Sequence, residues 1–214
     1  MNHSTLLGIK ACKLEKGQSL AIFGGGALGH LGCQFAKCLG LKTIIIDSRQ
    51  PPLDMCKSLP YPPDVLYNSS KVNLDDSKSV EKAVESIGGN TDAVIIATDA
   101  LPAYKLGFEV VKKHGLFMVI GQPKDPIPVS FFPLIFKNVT IKGSLLSDSA
   151  NLKDMVDLVA EKKIECKTKA YKLTEVDKLI VSYKLSRLFN LVLIISPVRL
   201  CSSRSFRQDG RSRW

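Results

Sequence analysis

The sequence predicts an α/β protein built on a doubly wound parallel sheet. Three observations carry that expectation. The apolar runs at residues 20–23, 43–46, 93–97 and 117–120 are continuous instead of alternating, which is how a strand reads when both of its faces are covered. Helical patterns stand between those runs in strict alternation, the arrangement that goes with parallel strands and crossover helices. Gly24, Gly25, Gly26 and Gly29 cluster where the first run gives way to the first helix, so the chain must turn sharply there.

Taken in order, residues 4–12 read as a short helix and 14–18 as a turn into the first strand, 20–23. Leu28, Leu31, Gly32, Phe35, Ala36 and Leu39 recur at helical spacing, and Gly40 closes that helix. The β-branched run 43–46 follows and ends in Asp47. Pro51 and Pro52 open a helix over 53–59, since proline is tolerated in a first turn. Residues 65–67 form a short third strand, and 76–87 a helix ended by Gly88 and Gly89. The fourth strand, 93–97, carries Thr98 and Asp99 at its carboxyl end. A helix over 101–113, closed by His114 and Gly115, leads to strand 117–120 and then Gly121. Beyond it come a proline-stiffened loop at 123–128, a short apolar turn or helix at 133–136 and a sixth strand at 139–143. The helix expected at 149–163 has Ser149 as its N-cap and Leu152, Met155, Val156, Val159 and Ala160 on one face. Strands at 169–173 and 191–195 flank a last helix at 175–185. Residues 197–214 are rich in serine and arginine with little to bury, and are expected to be disordered.

The glycine cluster carries chemistry as well as geometry. Gly24, Gly26 and Gly29 satisfy G-x-G-x-x-G between a strand and a helix, and Asp47 stands eighteen residues beyond, close to the roughly 20 of a dinucleotide fingerprint. Gly24 permits the tight turn, Gly26 lets backbone approach a pyrophosphate, and Gly29 lets helix and strand pack closely. Gly25, Ala27 and Leu28 complete the turn, and the amides from Ala27 to His30 are expected to face the phosphates, helped by the helix dipole. Asp47 is expected to accept hydrogen bonds from the adenosine ribose. Thr98 and Gly121 lie at other strand ends, where ligands of such sheets bind. The fold is therefore expected to be a Rossmann domain.

Composition narrows the function classes. At 45% hydrophobic the 214-residue chain can bury a core, while no apolar run reaches the ~18–20 residues of a membrane span. No signal peptide is visible, so a cytoplasmic protein is expected, with no membrane partner. Six scattered cysteines without any C-x-x-C pair exclude the usual spacing of a structural zinc or redox pair. The net charge of +10 owes much to residues 197–214, with five arginines against one acid. No nucleic-acid-reading module accompanies it, so nucleic acid is not an expected partner. His30 is read as a packed residue at the helix start in preference to a proton relay, and His114 as a helix carboxyl-end residue.

Further motifs follow in a specific order: Leu14-Glu15-Lys16-Gly17-Gln18, the glycine turn with Gln34-Phe35-Ala36-Lys37, Ile46-Asp47, Lys113-His114-Gly115, Ile120-Gly121-Gln122-Pro123 and Ile141-Lys142-Gly143-Ser144. In this the sequence resembles the nucleotide-binding half of the zinc-type alcohol dehydrogenases of the medium-chain dehydrogenase/reductase family, fungal members above all, over about residues 5–184. The resemblance implies a domain that binds NAD for hydride transfer between an alcohol and an aldehyde or ketone. Asp47 favours NAD, because its carboxylate repels the 2′-phosphate of NADP, and Arg49 weakens that preference. Gly121 and Gln122, with Ser144 and Leu145, correspond to the positions that contact the nicotinamide end. The family's catalytic zinc is held by ligands of an amino-terminal domain, which are expected to lie outside this chain. The resemblance thus implies three segments: a dinucleotide-binding domain at 1–165, a partial return segment at 166–196 and the basic tail at 197–214. A homo-oligomer paired through the strand near Val139 to Gly143 is a further implication, and a small alcohol or carbonyl partner is implied only where the catalytic domain is supplied. The alternative is a catalytically inactive module that holds NAD alone.

Overall fold

The computed structural model describes residues 3–145, 149–185 and 192–196. Its main sheet has six strands in the order β3-β2-β1-β4-β5-β6, formed by β1 (Ser19–Phe23), β2 (Lys42–Asp47), β3 (Val65–Asn68), β4 (Thr91–Ile96), β5 (Val111–Val119) and β6 (Thr140–Gly143). Every neighbouring pair is parallel. The doubly wound α/β expectation therefore holds. Winding proceeds outward from β1 through β2 to β3, then returns to β4 on the other side of β1, so the order reverses between β1 and β4.

Period-two alternation distributes each strand between two apolar layers. Leu20, Ile22, Ile45, Ala93, Ile95 and Met118 face the layer covered by α1 (His3–Ala11), α2 (Gly29–Cys38), α3 (Gln50–Lys57) and Met155 of α7 (Ser149–Lys162). Ala21, Phe23, Ile44, Ile46, Val94, Ile96 and Phe117 face the layer of α4 (Ser77–Ser86) and α5 (Leu101–Val110). On that second side Phe108 stacks on Phe117 with ring centroids 4.0 Å apart. Asp76 caps α4 by accepting a 3.1 Å hydrogen bond from the Lys78 amide. Short α6 (Phe131–Ile135) precedes β6, and β7 (Thr168–Lys172) pairs in parallel with β8 (Val192–Ser196) across α8 (Val176–Leu185).

Two expectations change. Helix α5 stops at Val110 instead of running to Lys113, because the buried Val111 pairs with Thr91 and already belongs to β5. His114 is accordingly not a helix-end residue: it sits within the strand at φ +60°, its amide donating to the Lys137 carbonyl at 2.7 Å. The register shift between Thr91 and Ala93 absorbs the extra residues, and Asp92 there accepts from the Ser19 amide and hydroxyl and pairs with Lys112. Burial works to raise the Asp92 pKa, but those partners outweigh it and hold it down to about 2. Helix α7 is also turned from its expected face. Met155, Leu158 and Val159 pack inward, whereas Leu152, Val156 and Ala160 are exposed. The tail at 197–214 lies outside the described residues, as does the residue preceding Ser149. Among the described residues no helix is long and apolar enough to cross a membrane.

Candidate functional site

At the point where strand order reverses, the carboxyl ends of β1, β2, β3 and β4 surround a cleft of about 730 Å³. Open parallel sheets take their ligands at this place, because the connections diverge and leave a crevice. Gly24, Asp47, Arg49 and Thr98, all expected from the sequence, line it together. So do Ser69, Asn73, Leu74, Pro102, Ala103 and Leu106, which sequence reasoning did not single out. The signal for the first of these was the polar Asn68-Ser69-Ser70 run after a short strand.

The glycine turn is built by close approach. Gly24 adopts φ +99° as it leaves β1, and its amide donates to the Ile46 carbonyl at 2.8 Å. A Cβ on Gly29 would stand 1.7 Å from the Gly24 carbonyl oxygen, so no larger residue fits there. The amides of Ala27 and Leu28, half-buried at the start of α2, have no hydrogen-bond partner among the described residues. They and the helix dipole make an anion-seeking rim. His30 does not belong to that rim: its amide donates to the Gly26 carbonyl at 3.0 Å, contrary to expectation.

Asp47 joins this turn to β2. Its carboxylate is almost wholly buried and accepts from the Gly25 amide at 2.9 Å, from the Arg49 amide at 2.9 Å, and from the Arg49 guanidinium through Nε at 3.0 Å and Nη2 at 3.2 Å. Beneath the turn, the Cys56 thiol contacts the Gly25 carbonyl at 3.5 Å, and burial pushes that thiol up to about 12. The described cysteines all carry free thiols.

The remaining expected residues are not in the cleft. Gly121 packs behind Thr98, where a Cβ would come within 1.9 Å of the Thr98 carbonyl oxygen, and its own carbonyl accepts from the Tyr104 hydroxyl at 3.1 Å. Gln122 is exposed beyond it. Ser144 spends its amide on the Val119 carbonyl and its hydroxyl on the Ser4 carbonyl, and Leu145 is exposed. Sequence reasoning missed how these strand ends are tied to the start of the chain, because a hydroxyl-to-carbonyl bond 140 positions apart leaves no local signal.

A second structure stands behind the turn. His30 is 1% exposed, with Nδ1 2.9 Å from the Gly26 carbonyl and Nε2 accepting from the Lys167 amide at 3.3 Å. That pairing requires the neutral ring protonated at Nδ1, and burial lowers the pKa accordingly. Gln34 exchanges bonds with both the carbonyl and the amide of Glu165, and the Tyr61 hydroxyl donates to the Lys162 carbonyl at 3.0 Å. His30 is thus packed and structural, as expected, and serves as part of a clamp on residues 162–167. Among the described residues no group of three or more His, Cys, Asp or Glu is placed to hold a metal ion.

This geometry has counterparts among known proteins. An alcohol dehydrogenase of Geobacillus stearothermophilus is 26% identical over 175 residues, which cover 82% of this chain and 49% of that protein. A probable D-xylulose reductase A of Aspergillus clavatus is 29% identical over 159 residues, 74% of this chain and 44% of the relative. The chain therefore spans about half the length of the curated relatives it matches. In fold it resembles the acetophenone reductase of Geotrichum candidum, solved in complex with NAD, with a TM-score of 0.75 at 18% identity, covering 89% of this chain and 51% of the other. The sequence pattern of the zinc-binding dehydrogenases matches residues 27–161, from the glycine turn to the end of α7, and the chain belongs to that family.

Proposed function

We propose that this chain is the dinucleotide-holding half of an NAD-dependent alcohol dehydrogenase, an oxidoreductase moving a hydride between an alcohol and an aldehyde or ketone. One observation carries the reading: a glycine turn, whose helix-start amides have no partner among the described residues, meets a buried carboxylate at the mouth of a cleft where strand order reverses. The amides of Ala27 and Leu28 hold the pyrophosphate, with Gly24, Gly25, Gly26 and Gly29 giving it room. Asp47 takes the adenosine ribose, and Thr98, Gly121, Gln122, Ser144 and Leu145 border the nicotinamide end. NAD, when bound, supplies the hydride acceptor. The named activities of the relatives support an alcohol or carbonyl substrate. Residues 1–165 form the dinucleotide domain and 166–196 the segment returning to a catalytic domain. Pairing of a second copy along β6, at the edge of the sheet, and a cytoplasmic setting are part of the same proposal.

Calorimetric titration of the full chain with NADH tests this directly. Binding is expected, and it disappears when Asp47→Ala and Gly26→Val are combined. A well-folded chain that takes up no NADH would refute the reading. A second reading is a module that holds NAD without turnover, in keeping with a chain that spans about half the length of its curated relatives. Oxidation of ethanol by the purified chain with NAD, abolished by a chelator, would dispose of it.

A further inference from the structure

The peptide between Gly26 and Ala27 is planar, so its carbonyl and its amide point in opposite directions and turn together. That amide is the Ala27 N–H, one of the two helix-start donors without a partner among the described residues. The carbonyl is held twice by one residue, the His30 amide donating to it at 3.0 Å and His30 Nδ1 at 2.9 Å. The first bond is the ordinary helical one. The second comes from a buried side chain and fixes the direction in which the Ala27 N–H leaves the turn.

The ring is fixed in its turn. Its Nε2 accepts from the Lys167 amide at 3.3 Å, and a flip of the imidazole would set a carbon against each of the two partners. Gln34, one turn further along α2 and fully buried, donates to the His30 carbonyl at 3.2 Å and the Glu165 carbonyl at 2.8 Å, and accepts from the Glu165 amide at 3.1 Å. Between these anchors and Tyr61, which holds Lys162, the side chain of Ile164 is buried in the apolar layer that α2 covers. Neither His30, Gln34, Glu165 nor Lys167 lines the cleft. A contact made by residues 165–167 is thus carried through the ring to the back of the peptide whose front faces the cleft.

We infer that His30 is a positioning residue: it aims the Ala27 amide at the pyrophosphate, and residues 165–167, which do not line the cleft, keep it aimed. The inference rests on the dinucleotide reading given above. An amide already pointed at a phosphate oxygen needs no ordering when the ligand arrives, and its hydrogen bond to a charged acceptor is of the strong kind. Release of the ring leaves the Gly26 carbonyl on the helical bond alone, and the peptide is then free to rock.

Titration of the full chain with NADH, with the Ala27 amide resonance followed by NMR, tests this. In the native chain that resonance should move downfield as the phosphate takes the hydrogen bond. His30→Leu removes both ring bonds, and should weaken NADH by about tenfold and shrink the Ala27 shift at saturation. His30→Phe, which keeps a planar ring without its nitrogens, makes the same comparison if the leucine variant folds poorly. His30→Asn places its amide nitrogen where Nδ1 stands, and should recover most of both the affinity and the shift. Gln34→Met loosens Glu165 without touching the turn, and should weaken NADH by about threefold. A folded His30→Leu or His30→Phe chain that binds NADH as tightly as the native one, an asparagine variant no better than these, or a Gln34→Met chain of native affinity overturns the inference while leaving the dinucleotide reading intact. A folded native chain that binds no NADH removes both.

Discussion

Gly29 shows how a single position can be fixed by space and not by backbone conformation. Its missing Cβ would fall 1.7 Å from the Gly24 carbonyl oxygen, an atom held by the turn itself, so the neighbour cannot yield as a flexible side chain would. Gly89, by contrast, has φ +96° with nothing within 4 Å of a built Cβ. The two glycines therefore separate steric exclusion from left-handed strain. Gly89→Ala should cost about 1–2 kcal/mol, the left-handed penalty alone, and leave dinucleotide binding unchanged. Gly29→Ala should cost about 1–3 kcal/mol of stability as overpacking does, and abolish binding by pushing the turn away from α2. Urea unfolding with NADH titration measures both quantities, and equal effects of the two variants would contradict this account. The spacing of Gly24, Gly26 and Gly29 was legible in the sequence because three small residues between a strand and a helix have few other uses. What Arg49 does to Asp47 was legible only as a nearby charge: two residues of separation permit the fork without dictating it.

Helix α2 links the glycine turn to residues 165–167 through His30 and Gln34, and this pairing makes the element sensitive to pH. Burial lowers the His30 pKa in the folded chain, and the neighbouring Lys167 charge acts in the same direction. The neutral ring donates at Nδ1 to Gly26 and accepts at Nε2 from the Lys167 amide, whereas the protonated ring cannot accept. A depressed folded pKa means that the unfolded chain takes up the proton first. Stability from His30 is therefore complete above its unfolded value of about 6.5 and is lost as pH falls through the folded value. Comparing urea unfolding at pH 7.5 and 5.5 should show a loss in the native chain that His30→Gln removes, other groups cancelling in the difference. Identical losses in both proteins would exclude the histidine as the cause. The sequence indicated that His30 is packed, since it follows the last motif glycine on an apolar helix. It gave no hint of the clamp, because its partners in 165–167 lie more than 130 positions away and are backbone groups that any residue could provide.

For the whole molecule, the strands that periodicity identified best were those whose middle is a continuous apolar run covered on both faces: β1, β2 and β4 agree with expectation to within a residue or two. The junction of α5 and β5 was misread because Val110, Val111 and the two lysines suit either element, and only pairing with Thr91 decides. The same tertiary control turned α7 and left Leu152 and Val156 outside. Near the sheet edge the exposed apolar residues carry a different meaning. Among the described residues strand β6 has β5 on one side and no strand on the other, and its Ile141 is exposed, as are Phe131, Phe132, Ile135 and Phe136 of the preceding segment. Phe132 and Phe136 stack with centroids 5.1 Å apart, a preorganised and exposed aromatic surface, while β6 presents a row of edge-strand hydrogen-bonding groups. A second copy of the chain offers the matching edge, and a twofold arrangement would cover both at once. Sedimentation velocity of the full chain should then report a dimer whose dissociation constant rises at least about tenfold on Ile141→Lys combined with Phe136→Glu, because a charge on an edge strand opposes pairing and a second removes the aromatic contact. Since neither residue lines the cleft between β1 and β4, NADH binding should persist in the doubly substituted chain. A native chain that sediments as a monomer at all concentrations would sink the edge-pairing proposal and leave the cleft untouched.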